Sequence, residues 1–280
     1  MNRRTTLLLL FVGLVPGVGL AAPAGDQRIV VPLTDPSRPV QLEVSLQAGG
    51  VEVTGYDGRE VVVVARNRTE RVEREGSSGG MKRIPNTALG LSVEEQRNQV
   101  SVSGAWHNYS ADVLIQVPFR TSATIRTVQR GEIVVRGLQG ELELQNTNGG
   151  IEATGIKGSV VANTTNGGVV VVFDEIAPDK PMSFTTLNGN VDVTFPPGLR
   201  AELRIEPGRG EILTDFDFEV IPTTPKVERS EGEGSFRVEV GQDVRAKIGG
   251  GGPVIQMKTF NGGIFIRKSS SPSGRASKSR

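Results

Sequence analysis

A short glycine-led unit recurs along the chain and constrains its fold more than any other feature. The copies read GGVEVTG at 49–55, GEIVVRG at 131–137, GGIEATG at 149–155, GGVVVVF at 167–173, GNVDVTF at 189–195, GEILTDF at 210–216 and GGIFIRK at 262–268. The central five leading glycines are spaced by 18, 18, 22 and 21 residues. Each is followed two positions later by Val or Ile. Three copies extend to a longer form that closes on glycine, over 49–58, 131–140 and 149–158. Asn stands before the leading Gly at 148, 166, 188 and 261. Asn and Gly both tolerate the backbone angles of a sharp turn. Beyond the turn the residues alternate: Val51 and Val53 oppose Glu52 and Thr54, and Val191 and Val193 oppose Asp192 and Thr194. Period two is the pattern of a strand with one buried face. A second short strand follows the next glycine, with Leu142 and Leu144, or Val160 and Ala162, on its inner side.

Two all-β architectures accommodate this. Asn-Gly between apolar runs is a strong hairpin signal and leads to an antiparallel sandwich or meander. A β-solenoid of roughly 18–22-residue coils places the same turn at the same corner of every coil, so that Asn148, Asn166 and Asn188 stack. The repeat length is too short for a propeller blade of ~40–50 residues. Sparse aromatics, 5% of the chain, suit a narrow interior. The solenoid is the preferred reading.

Glycine is high, 36 of 280 residues, while Cys is absent and His and Trp occur once each. Without Cys there is no disulfide framework, thiol nucleophile or iron–sulfur site, and one His excludes multi-histidine metal centres. The sequence offers no catalytic residue, cofactor site or metal site to name.

Residues 1–24 read as a secretory signal peptide: Arg3 and Arg4, then the apolar run Leu7–Val18, then small residues at 21–24. No later run reaches the ~18 apolar residues of a membrane span. Setting aside Arg3 and Arg4 leaves 30 basic against 31 acidic residues, which gives no field for nucleic acid. The balance hides a division: residues 267–280 carry five basic residues and no acid, leaving 25 basic against 31 acidic elsewhere. Residues 269–280 read as a disordered basic tail, able to make weak contact with anionic surfaces.

The domain expected between these segments spans 25–268. Ile29–Leu33 and Val40–Leu46 read as its entry cap. Charged, glycine-broken stretches read as inserts: near 66–98 a solvated loop with a returning strand, and near 215–247 a loop-like one.

The units NGG-I-x-A-T-G-I-x-G and NGN-V-D-V-T-F-P-P-G, the run DVLIQVP at 112–118 and the closing KTFNGGIFIRK at 258–268 resemble the bacterial DUF4097 family. That family is described as β-strand repeat-containing and takes its adhesin label from architecture. The resemblance covers about residues 40–268. It implies a right-handed β-helix-like fold on an exported or envelope-linked protein, and it carries over no catalytic residues.

Other candidate residues have bland readings. Asp215, Asp217 and Glu219 would share one face of an exposed edge strand. A glycosidase or calcium site needs paired carboxylates, but the calcium nonapeptide is not matched. Asp174-Glu175 reads as a turn. Trp106, His107, Asn108 and Tyr109 read as an aromatic plug or, functionally, a sugar-stacking platform. The glycines 249–252 lack a phosphate-loop lysine and read as a turn. The expectation is an exported, periplasmic, cell-surface or secreted bacterial scaffold without catalysis. Its adhesin-like partner would be an envelope polymer, a glycan or a protein. An envelope-stress structural component is the alternative, and a polysaccharide-active enzyme ranks third.

Overall fold

A computed structural model describes residues 27–67, 90–104, 111–129, 131–222, 227–232, 235–240 and 243–270. The signal segment 1–24, the cluster Trp106–Tyr109 and residues 271–280 of the tail lie outside the described residues. The described residues form strands and no helix. In chain order these are β1 (Gln27–Pro32), β2 (Val40–Ala48), β3 (Val51–Tyr56), β4 (Glu60–Asn67), β5 (Leu91–Gln96), β6 (Gln99–Gly104), β7 (Ala111–Pro118) and β8 (Thr121–Gln129). Next come β9 (Ile133–Arg136), β10 (Gln139–Asn148), β11 (Ile151–Asn166), β12 (Val169–Ile176), β13 (Met182–Asn188), β14 (Val191–Phe195), β15 (Ala201–Glu206) and β16 (Ile212–Thr214). The last are β17 (Glu219–Ile221), β18 (Val227–Gly232), β19 (Ser235–Val240), β20 (Val244–Ile248), β21 (Val254–Asn261) and β22 (Ile264–Lys268).

Twenty of these strands join one sheet, and their pairing resolves it into two columns. The first runs β5–β6–β2–β8–β10–β11–β13–β21–β15–β20–β17. The second runs β1–β4–β7–β3–β9–β11–β12–β14–β22–β16. β11 belongs to both: Ile151–Thr154 pairs in the second column and Val161–Asn166 in the first, with a ladder irregularity between Thr154 and Lys157. Pairing is parallel from β6 to β15 and from β7 to β16, and antiparallel only at the ends. The Asn-Gly corners therefore do not make hairpins. Each joins a strand of one column to a strand of the other, forming a rung, and the rungs stack in register.

The rungs do not follow chain order at either end. β6–β7 lies outside β2–β3, which pairs onward with β8–β9. At the other end β21–β22 is seated between β13–β14 and β15–β16. Val40–Leu46 is thus an interior strand rather than a cap; only β1 of the expected entry cap lies at an edge. Both charged stretches contain strands: in 66–98 a returning strand was expected, while in 215–247 the order exceeds a loop-like reading. β4 continues to Asn67, and β5 and β6 form a hairpin through Arg97 and Asn98, both at positive φ. Within 215–247 lie β17, the hairpin β18–β19 and much of β20.

Alternation along the strands fills one core between the columns. β2 buries Val40, Leu42, Val44 and Leu46 and exposes the residues between them; β7, β8 and β13 repeat the pattern. Burying one such side chain is worth ~1.5–3 kcal/mol. The ring of Phe184, from the first column, stands edge-on to Phe173 and Phe195, from the second, at 6.4 Å each. Phe173 and Phe195 stack at 5.3 Å. These rings join the columns across the middle of the core.

The leading glycines form their own column. A Cβ on Gly131, Gly149, Gly167, Gly189, Gly262 or Gly210 would overlap the carbonyl oxygen of Gly49, Gly131, Gly149, Gly167, Gly189 or Gly262 respectively. Backbone meets backbone at this corner, and no side chain fits between. Beside it, Asn166, Asn188 and Asn261 each donate Nδ2–H to Oδ1 of the Asn one rung before, at 2.8 Å. Just inside, the hydroxyls of Thr164, Thr186 and Thr259 donate to the carbonyls of Gly149, Gly167 and Gly189 at 2.7–2.8 Å.

Candidate binding faces

Register places the outward side chains in rows that cross the rungs. On the second column one row runs Leu114, Glu52, Val134, Glu152, Val170, Asp192, Phe265, Leu213. The next includes Thr54, Arg136, Thr154, Val172, Thr194 and Arg267. From Leu114 to Phe265 the first row alternates apolar and acidic residues. Arg136 pairs with Glu52 across rungs, and Arg267 forks onto Asp192 at 2.8 and 2.9 Å. The hydrogen bond and charge of Asp192 hold the Arg267 guanidinium above its ordinary pKa.

The outer face of the first column is different. Gln145, Asn163 and Thr185 share one row, continued by Arg126 and Lys258, and the register pairs on either side bring Thr147, Thr165, Leu187 and Phe260 into line in the next. Beyond them stands the asparagine ladder. The centre of this face bears amides and hydroxyls without a charge. Its charges sit at either side, already paired: Arg126 with Glu143 at 2.9 Å and Lys258 with Glu206 at 2.5 Å. Leu187 and Phe260 are 47% and 50% exposed, and the Arg209 guanidinium lies 5.5 Å from the Phe260 ring centre.

A shallow groove of about 450 Å³ opens at the far end of the same column, lined by Ser45, Gln47, Gly90, Leu91, Ser92, Ser103 and Gly104. Nearby, a polar knot ties β5–β6 to the loop after β1. Glu95 accepts hydrogen bonds from the Asn98 N–H at 2.8 Å and from the Thr34 hydroxyl and N–H at 2.8 and 3.1 Å. These bonds hold its carboxyl below the usual glutamate range. Asn98 also accepts from the Asp35 N–H at 2.8 Å.

The residues singled out in the sequence are not brought together. Asp215 and Asp217 lie in the bend between β16 and β17, so they do not share a strand face with Glu219; Phe216 between them is buried. Asp215 accepts the Lys268 N–H at 2.6 Å. Asp174 and Glu175 fall within β12 and not in a turn. The glycines from 249 do form the turn between β20 and β21, with Gly249, Gly250 and Gly251 all at positive φ. Among the described residues no group of three or more His, Cys, Asp or Glu is placed to hold a metal, and no helix is long and apolar enough to cross a membrane. The outward rows were not singled out in the sequence, because membership of a row depends on which rungs are neighbours. The period-two alternation identified the outward side of each strand, not its lateral partners.

No family model and no curated sequence matches the chain. Two solved structures are similar to it. One, from Clostridium sporogenes, is named for a proposed cell-adhesion role; it is 11% identical, with a TM-score of 0.45 over 87% of this chain and 100% of that one. The other, from Bacteroides fragilis, is named as a proposed adhesin; it is 8% identical, with a TM-score of 0.31 over 90% of this chain and 100% of that one.

Proposed function

We propose that this chain is a two-sided β-solenoid of the DUF4097 type, exported by its N-terminal segment, that serves as a non-catalytic, adhesin-like scaffold binding the cell envelope. One observation carries the reading: the stacked rungs present two long, regular outer faces. A large regular surface suits binding to an extended partner, whereas catalysis calls for convergent groups in a concave site. The resemblance of the repeat motifs points the same way, and the charge-free leader 5–24 after Arg3 and Arg4 supports export. The basic residues beyond Ser269 would add salt-sensitive contact with anionic polymers or headgroups.

The test is co-sedimentation of the purified chain with fractionated cell envelope, paired with assays on soluble polysaccharides. Retention on one fraction without turnover is the expected result. Turnover of a polysaccharide would replace the scaffold reading with an enzyme. Failure to bind any fraction, together with an envelope-stress phenotype on deletion, would favour a structural role instead.

A further inference from the structure

We infer that the first column's asparagine corner binds an uncharged, extended β-linked polysaccharide lying along the stack; this rests on the envelope-binding scaffold reading and names its ligand class. Three features of the surface carry it. The first is spacing. Rungs in a parallel ladder repeat every ~4.8 Å, close to the advance per sugar of a fully extended β-linked glycan, so each sugar would meet one rung and every second sugar would offer the same edge to the asparagine row.

The second is chemistry. In the ladder Asn166 and Asn188 each use one N–H and one oxygen lone pair on their neighbours. A carboxamide has two of each, so each retains one donor and one acceptor for sugar hydroxyls. Thr165 stands in the adjoining row. That row ends on exposed Leu187 and Phe260, an apolar step suited to the C–H face of a sugar ring. The third is charge. The strip from Gln145 and Thr147 to Thr185 and Leu187 carries none; the Arg126–Glu143 and Lys258–Glu206 pairs at its borders neutralise each other, and at its Phe260 end the Arg209 guanidinium is engaged on the ring. A uronic or phosphate polymer would find no row of counter-ions along it.

The experiment is co-sedimentation of the full chain with insoluble cellulose, a neutral β-1,4 glucan, against granular starch, whose α-linked chains coil. Retention on cellulose and not on starch is expected. Phe260→Ala should weaken it about tenfold, equivalent to ~1.4 kcal/mol, and Thr165→Lys should weaken it at least as much. Both positions point outward, so both variants should keep the wild-type circular dichroism and unfolding midpoint. Equal retention on starch, or wild-type retention by both variants, overturns the strip as the site. Binding to isolated envelope without retention on cellulose overturns this inference and leaves the scaffold reading standing. Binding to neither removes both.

Discussion

Gly167 and Gly198 both sit at turns, yet they differ in what surrounds them. A Cβ on Gly167 would strike the Gly149 backbone, whereas one on Gly198 would meet nothing within 4 Å. Gly167→Ala is therefore expected to cost about 2–4 kcal/mol, at the high end for one substitution, while Gly198→Ala stays within about 0.5 kcal/mol. Urea midpoints at unchanged slope would measure both. A second contrast lies one position inside the corner. The Thr186 hydroxyl is bonded to the Gly167 carbonyl at 2.7 Å, while the buried Thr127 hydroxyl has no hydrogen-bond partner among the described residues. Thr186→Val should destabilise by about 1–2 kcal/mol, because a half-buried carbonyl loses its donor. Thr127→Val should be neutral or raise the thermal midpoint, since a hydroxyl already unpaired is replaced by a methyl. Much of this scale was legible in the sequence. All seven leading glycines share one corner, because the close approach that demands glycine repeats with the rung. Unequal satisfaction of Thr127 and Thr186 was not legible, since it depends on sub-ångström placement of one carbonyl.

Strand existence and inner faces followed from alternation, which is a local property. Pairing did not, because Asn-Gly corners serve hairpins and column-to-column crossings equally well. For the β5–β6 hairpin a returning strand was legible but its partner was not, as Glu94, Glu95 and Arg97 blur the alternation; Asn98 at positive φ is the one local cue to the turn. This hairpin is where acid should act first. Glu95 has a lowered folded-state pKa, from the Asn98 N–H foremost and then Thr34. Its stabilising contribution is complete above the ordinary glutamate value and is lost as pH falls through the lowered one. Amide exchange between about pH 5 and pH 3 should show β5 and β6 losing protection before β10–β14. Glu95→Gln should remove most of that pH step. A residual step should remain from Asp35, whose pKa Ser37 lowers in the same direction. Identical pH profiles for wild type and variant would exclude Glu95 as the acid-sensitive tie.

At the scale of the whole molecule the exchanged rung order governs cooperativity. Among the described residues β15 pairs only with β20 and β21, β16 only with β22, and β17 only with β20. By strand pairing, β15, β16, β17 and β20 therefore reach the body of the ladder through the final rung. Met257 is fully buried in that rung, and Met257→Lys would place a charge in the core. Hydrogen exchange by mass spectrometry should then show β15–β17 and β20–β22 opening as one unit while β10–β12 stay protected; independent opening of β15 and β21 would refute the linkage. This arrangement was not legible because spacing of glycines in sequence implies neighbours in sequence, and here Gly262 stands between Gly189 and Gly210. It also determines how the molecule bears load. An outermost strand under tension peels from one side, breaking its bonds in succession. β22 is held on both sides, by β14 and by β16, in two parallel ladders. Tension along β22, applied beyond Lys268, would strain both ladders in shear, so that many bonds resist together. A chain tucked back beneath its own outer turn is fastened as a rope is whipped, and tightens where a trailing end would unwind.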